Sequence, residues 1–320
     1  MDPTPPSIPR HLTPALGPVI LPEMRTNGGK SRHAHGKRAL QNPESEVPRT
    51  RQKGSLEVPV GSLLEAICAI HMSSYVDSPV KDRGGLMLVG PPGVLKTTFL
   101  DVLEDNYHNA ISASNLNTTT LLKMQQQFHA GTMRSLILPD VQAIYAGDPR
   151  TASRLEQALM QLAGEGNRGA SWQDARHQRF KSRCTIFGAI TNKHYEKQAA
   201  SWEDSGFFRR FLWSAYTLAD PDILMNAIEK WKRADIGTIR VPALPVNRSI
   251  PESLTADERR EIRTWLKHQP GPHEIQFSLL CRATSALRWH YANKRIKRNA
   301  IETMREFART LTKDAALIRV

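Results

Sequence analysis

Apolar and polar positions follow two rhythms along most of this chain, and the switch between them predicts an order of elements. Leu86-Met-Leu-Val89 is a short unbroken apolar run, the pattern of a strand buried on both faces. Ala110 to Ala113, Ser135 to Leu138, Cys184 to Ile190 and Phe211 to Tyr216 read as four further strands. Between them apolar residues recur three and four positions apart. Leu63, Leu64, Ile67, Ile70 and Met72 do so within Gly61 to Tyr75, and Phe99, Leu100, Val102 and Leu103 just after the first strand. Leu121 to Phe128 follows, then Thr151 to Ala163 through Leu155, Ala158, Leu159 and Leu162. Each pattern predicts a helix with one buried face. Strands alternating with helices predict an α/β fold, a parallel sheet covered on both sides.

After about Pro221 the rhythm changes. Pro242, Pro245 and Pro251 predict a linker, and Thr255-Ala-Asp-Glu258 is a capping box opening a helix through Ile262, Trp265 and Leu266. Leu279 to Ile296 and Ala300 to Leu317 predict two more helices. The first fifty or so residues lack such periodicity. They carry Pro3, Pro5, Pro6, Pro9, Pro14, Pro18 and Pro22, then Gly28-Gly29 and a basic run from Lys30 to Arg38. Such a stretch buries too little to offset its ordering entropy. The expected layout is a disordered basic arm over 1–55, an α/β domain over 56–240 and a small helical lid over 250–320.

Charge adds a partner class. Forty-four basic against 31 acidic residues leave +13, which favours a polyanion, nucleic acid before membrane; a merely solubilising charge is the plain alternative. Cys68, Cys184 and Cys281 lie far apart inside apolar runs, without metal-ligand spacing, and are expected in the core. No signal-peptide pattern opens the chain, and no apolar run approaches the roughly 20 residues of a membrane span. The expected location is the cytoplasm, in association with the nucleoid, without a membrane partner. His33 and His35 have the chemistry of metal ligands, but tail histidines are ordinarily idle.

Gly90-Pro91-Pro92-Gly93-Val94-Leu95-Lys96-Thr97-Thr98 stands between the first strand and a helix, the context a phosphate-binding loop needs. Its glycines allow successive backbone N–H groups to face a triphosphate. Lys96 is placed for the β- and γ-phosphates and the Thr97 hydroxyl for Mg²⁺. ATP and Mg²⁺ are therefore the expected ligands.

Leu95 stands where a second glycine usually precedes the lysine. Here the chain resembles the ATPase domain of minichromosome-maintenance (MCM) helicases, AAA+ proteins whose loops share the Gly-Val pair and carry alanine at that position. The resemblance continues through Leu155-Glu-Gln-Ala158, Arg183-Cys-Thr-Ile-Phe-Gly-Ala189 and Phe208-Arg-Arg-Phe211, over roughly residues 60–218. It implies a AAA+ P-loop fold with a helical lid, a homo-oligomeric hexameric ring or filament, and ATP bound between subunits. It also implies further roles. Asp140 would be the acidic residue, also on the metal, at the end of the strand next to the phosphate loop. Asn192 would be the sensor for the attacking water. Arg210, or its neighbour Arg209, would be the arginine finger serving the adjacent subunit. The basic segment Arg168 to Arg183 would be a hairpin for DNA; within it Arg176, Arg179 and Lys181 stand among Trp172 and Phe180, a mixture suited to phosphates and base stacking. An exposed charged loop is the plain reading of the same segment.

The chain departs from that family at Leu136-Ile-Leu-Pro-Asp-Val-Gln142, where adjacent Asp and Glu are expected. Either Val141 occupies the position of the base or Pro139 that of the metal-side acid; one carboxylate is missing in both alignments. Among the residues before the loop no counterpart is expected of the oligonucleotide-binding domain that precedes the ATPase in MCM proteins. Three functions follow as expectations: an ATP-driven motor or loader on DNA, a nucleotide-gated assembly protein that recruits a partner to DNA, and a remodeller of proteins.

Overall fold

The computed structural model describes residues 56–80, 82–164, 182–218, 220–233, 249–269, 272–311 and 318–319. The expected arm, the linker prolines Pro242 and Pro245, and Arg176, Arg179 and Lys181 lie outside them. Five parallel strands form the main sheet: β1 (Gly85–Gly90), β2 (Ala110–Ser112), β3 (Ser135–Leu138), β4 (Thr185–Thr191) and β5 (Phe211–Ala215), in the spatial order β2-β3-β4-β1-β5. The helices are α1 (Val60–Met72), α2 (Lys96–Asn106), α3 (Thr118–Ala130), α4 (Pro149–Ala163), α5 (Asn192–Ser205), α6 (Pro221–Arg233), α7 (Ala256–Trp265), α8 (Glu274–Lys294) and α9 (Ala300–Ala308). Residues 51–320 form a single compact unit.

Alternation along the strands sends side chains into two cores. Leu86, Leu88, Ile137, Phe187, Ala189 and Leu212 join α1, α2, α8 and α9 in one. Met87, Val89, Leu136, Ile186, Ile190 and Trp213 join α3, α4 and α5 in the other. The expected strands recur within a residue or two. The 192–205 and 221–233 helices do not stand out in the apolar pattern, because α5 buries chiefly Tyr195 and Trp202 and α6 chiefly Leu224 and Ile228.

α1 departs from its expected single buried face. Every residue from Ser62 to Met72 is buried, since α1 packs between α2 and the C-terminal helices α8 and α9. That location buries Glu65 as well, where Tyr291 donates to one carboxylate oxygen at 2.6 Å and Arg298 to the other at 2.7 Å. The capping box at Thr255 forms as expected, with Thr255 and Glu258 exchanging bonds. α8 begins five residues before Leu279, capped by His273 and Gln276. All three cysteines are buried. Among the described residues no helix is long and apolar enough to cross a membrane.

β5 is an edge strand, and edge backbone needs cover. Gln269 supplies it. Trp213 N–H donates to Gln269 Oε1 at 2.8 Å, and Gln269 Nε2 donates to Trp213 O at 3.0 Å. Gln276 donates to the carbonyls of Phe208 and Phe211, and Ala215 N–H to that of Thr310. The C-terminal helices thus close the open side of the sheet.

Candidate nucleotide site

Parallel strands gather their C-terminal ends at one sheet edge, where loops can meet a ligand. At this edge Gly90 pairs in register with Thr191, so the loop after β1 lies level with the end of β4. β4 is interposed between β1 and β3, so Asp140 does not end the strand neighbouring the loop strand, as expected, but the next one out. The space between the loop and Asp140 lies over Thr191 and Asn192.

The loop is tightly held. A Cβ on Gly90 would fall 2.8 Å from Tyr216 O and 2.9 Å from Val94 Cγ2, so no larger residue fits there. Gly93 has φ +80° with open space around it. Leu95, at φ 55° and ψ 29°, adopts the left-handed turn that glycine ordinarily supplies. The loop keeps the backbone shape that the missing glycine would favour, and the leucine side chain packs against the apolar core. Tyr216, just past β5, braces this turn: its N–H donates to Val89 O at 3.1 Å and its hydroxyl to Val94 O at 3.3 Å. Its ring meets Phe99 edge-on.

Lys96 is buried at the start of α2 and donates to Gly90 O at 2.9 Å and Pro91 O at 2.7 Å. Burial pulls its ammonium below the ordinary lysine range, and the nearby Asp140 charge partly restores it. Thr97, Pro92 and Gly93 are exposed, with Pro91 and Thr98 half-buried, so the outer face of the loop is open.

Asp140 is exposed and caps a 3₁₀ turn over Val141–Tyr145, accepting from Gln142 N–H at 2.9 Å. Thr191 donates to Gln142 Oε1 at 3.1 Å, which ties this turn to the end of β4. Asn192 Oδ1 is buried without a hydrogen-bond partner, as is Nε2 of His194. His194 lies within reach of the Asp140 charge; burial and Lys197 hold its imidazole below the usual range. Val141 is 1% exposed, packed in the apolar core on the α3–α5 side of the sheet. A side chain at 141 therefore points away from the loop.

Arg210 does not face outward. Its Nε donates to Met160 O at 3.2 Å and its Nη1 to Gly206 O at 2.8 Å. It serves the carbonyl ends of α4 and α5, where a cation is favoured. Arg209 beside it is exposed.

No family model matches this chain, and no curated protein does. Its own geometry defines the site: a glycine-bounded loop, a buried lysine, a carboxylate and an asparagine whose Oδ1 has no partner, at one sheet edge. Tyr216, Gln142 and His194 belong to it without any signal in the sequence, since each is defined by contacts across strands.

Proposed function

We propose that this chain is a AAA+ P-loop ATPase that acts on DNA as an oligomer, with ATP held between subunits. The observation that carries this reading is the convergence of Lys96, Asp140 and Asn192 on one edge of a five-stranded parallel sheet. The loop suits a phosphate chain: it excludes a side chain at Gly90, turns at Gly93 and Leu95, and aims the N-terminus of α2 at an anion; among the described residues only Thr97 and Asp140 are offered to a metal, with no cluster of three metal-ligating side chains. Bound there, ATP would supply the transferable phosphoryl group and Mg²⁺ the charge that draws its oxygens together.

With a nucleotide bound, Lys96 would exchange its two loop carbonyls for phosphate oxygens. Thr97 would offer its hydroxyl to the metal, and Asn192 would orient water through the Oδ1 that has no protein partner. The burial of Val141 favours Asp140 as the base, with Pro139 standing where a metal-side acid would be. Asp140 would then serve both metal and water, and slow turnover is the expected consequence. The finger passes to Arg209, because Arg210 is occupied within its own subunit. DNA contact is assigned to the basic segment 168–183 on its composition.

The single carboxylate also favours a second reading, a nucleotide-gated assembly protein that recruits a partner to DNA without unwinding it. ATPase and strand-displacement assays run side by side separate the two. Turnover with unwinding supports the motor; ATP-stabilised oligomers on DNA without unwinding support the assembly protein. Lys96→Ala is expected to abolish nucleotide binding by calorimetry, and unchanged affinity would remove the site from both readings. A steady-state rate above about 10 per second, the median for enzymes, would show a second carboxylate at work.

A further inference from the structure

α4 and α5 face each other across a trough. Residues three and four apart share one face of a helix. α4 turns Ser153, Glu156 and Gln157 toward a cavity of about 510 Å³, and α5 turns Gln198, Ser201 and Ser205 toward the same space. Serines at these positions are too small to let the two helices fill the gap. Tyr145, at the end of the 3₁₀ turn that Asp140 opens, borders it as well.

Glu156 supplies the charge of this cavity. It is 8% exposed, and among the described residues lining the space there is no lysine, arginine or histidine. Tyr145 donates to Glu156 Oε2 at 2.9 Å and Ser205 to Oε1 at 2.9 Å. The Tyr145 hydroxyl in turn accepts from Trp202 Nε1 at 2.9 Å, which fixes it as a donor to the carboxylate. Burial, and then the Glu156 charge, push that phenol well above its ordinary range, so it keeps its proton. Arg210, next to the trough, spends Nε on Met160 O and Nη1 on Gly206 O. The two hydroxyl bonds use two of the roughly four lone-pair sites of a carboxylate. A buried carboxylate attracts a cation more strongly than an exposed one, because water screens it less.

We propose that the trough between α4 and α5 binds a small organic cation, a compound with an ammonium or guanidinium group whose charged head rests against the Glu156 carboxylate. The carboxylate accepts from the N–H groups of that head, a charge-assisted bond. The amide oxygens of Gln157 and Gln198 and the hydroxyls of Ser153 and Ser201 offer acceptors and donors to the rest of the molecule. The volume falls within the about 300–1,000 Å³ of small-molecule pockets and far exceeds a bare ion. A single carboxylate also falls short of a metal cage, and among the described residues no group of three metal-ligating side chains occurs.

The test uses the full chain without nucleotide. Agmatine, with a guanidinium at one end and an ammonium at the other, is titrated by calorimetry into the wild type and into Glu156→Gln, with butanediol as a neutral counterpart. Glutamine keeps the size of the side chain and an acceptor for Tyr145, and removes the charge. The surplus of +13 disfavours cations over the surface generally, so a difference between the two proteins reports this site. The wild type is expected to bind agmatine and not the diol. Glu156→Gln should bind agmatine about tenfold more weakly or worse, through loss of the charge-assisted bonds. No binding by the wild type, equal affinity in the variant, or diol binding as tight as that of agmatine overturns the proposal. Should Glu156→Gln fail to fold, Ser153→Leu is used instead: the position is exposed, and leucine fills the trough while leaving the carboxylate in place. A smaller agmatine-induced rise in melting temperature than in the wild type supports the site, and an equal rise overturns it. The nucleotide loop takes no part in either measurement.

Discussion

Leu95 shows how a single residue can carry local strain. A non-glycine residue in the left-handed region costs on the order of 1 kcal/mol or more, here accepted because the side chain packs into the core. Comparing Leu95→Ala with Leu95→Gly isolates that cost, since both lose the same packing. Glycine is expected to be the more stable by about 1 kcal/mol in denaturant unfolding, the reverse of its usual rank below alanine in helices; equal stability would mean the turn relaxes. His71 is a second residue-scale device. Its Nδ1 lies 2.7 Å from Ser135 Oγ, its ring meets Tyr107, and burial pulls its pKa down to about 3. Above pH 6.5 it is neutral folded or unfolded. Between pH 6.5 and 3 the unfolded chain takes a proton that the folded one refuses, so stability falls by about 1.4 kcal/mol per pH unit. His71→Phe should make the acid limb of the stability profile shallower by one proton; an unchanged slope would show that His71 titrates normally.

At the scale of elements, the turn between α5 and β5 holds two arginines with different tasks. Arg210 ties the ends of α4 and α5 together through two carbonyls; Met160 O keeps the Gly164 N–H when Arg210 is removed, so the loss is that of two charged hydrogen bonds, about 1–3 kcal/mol. Arg209 is exposed and contributes little to the isolated fold. Arg210→Ala is therefore expected to lower the melting temperature, and Arg209→Ala to leave it nearly unchanged while reducing ATP hydrolysis or ATP-dependent assembly. A neighbour's finger can be worth about 10³–10⁵ in rate. Mixing Arg209→Ala with Lys96→Ala should restore part of the activity, because one interface then combines an intact loop with an intact arginine. If Arg209→Ala assembles and hydrolyses ATP like the wild type, the trans-acting role belongs elsewhere.

For the molecule as a whole, the C-terminal helices are part of the core rather than an appendage. α8 and α9 share an apolar cluster with α1 and α2, and Gln269 pairs with both backbone groups of Trp213 on the sheet edge. Gln269→Ala strands a buried N–H and a buried C=O, an expected loss of about 2–5 kcal/mol in all. The described unit should unfold in one transition under denaturant, followed by tryptophan fluorescence and circular dichroism together. A separate, weaker transition for the C-terminal helices would show that they open independently.

The five strands, the helices α2, α3 and α4 between the first four of them, and the glycine-bounded loop were legible in the chain because each depends on local periodicity and on glycines at fixed offsets; α5 was not, because it buries chiefly Tyr195 and Trp202. Lys96 and Asp140 could be named, since an end-of-strand position is itself a sequence feature. The burial of α1 on every side could not be read, because its polar residues find partners such as Tyr291 and Arg298 more than 200 positions away. The difference between Arg209 and Arg210 was equally hidden: adjacent identical side chains have the same local pattern, and only the arrival of the α4 and α5 carbonyls distinguishes them. Strand order decided the rest. Placing β4 between β1 and β3 puts Asn192 between Lys96 and Asp140, because lateral pairing joins residues by hydrogen bonds across the sheet, which no spacing along the chain encodes.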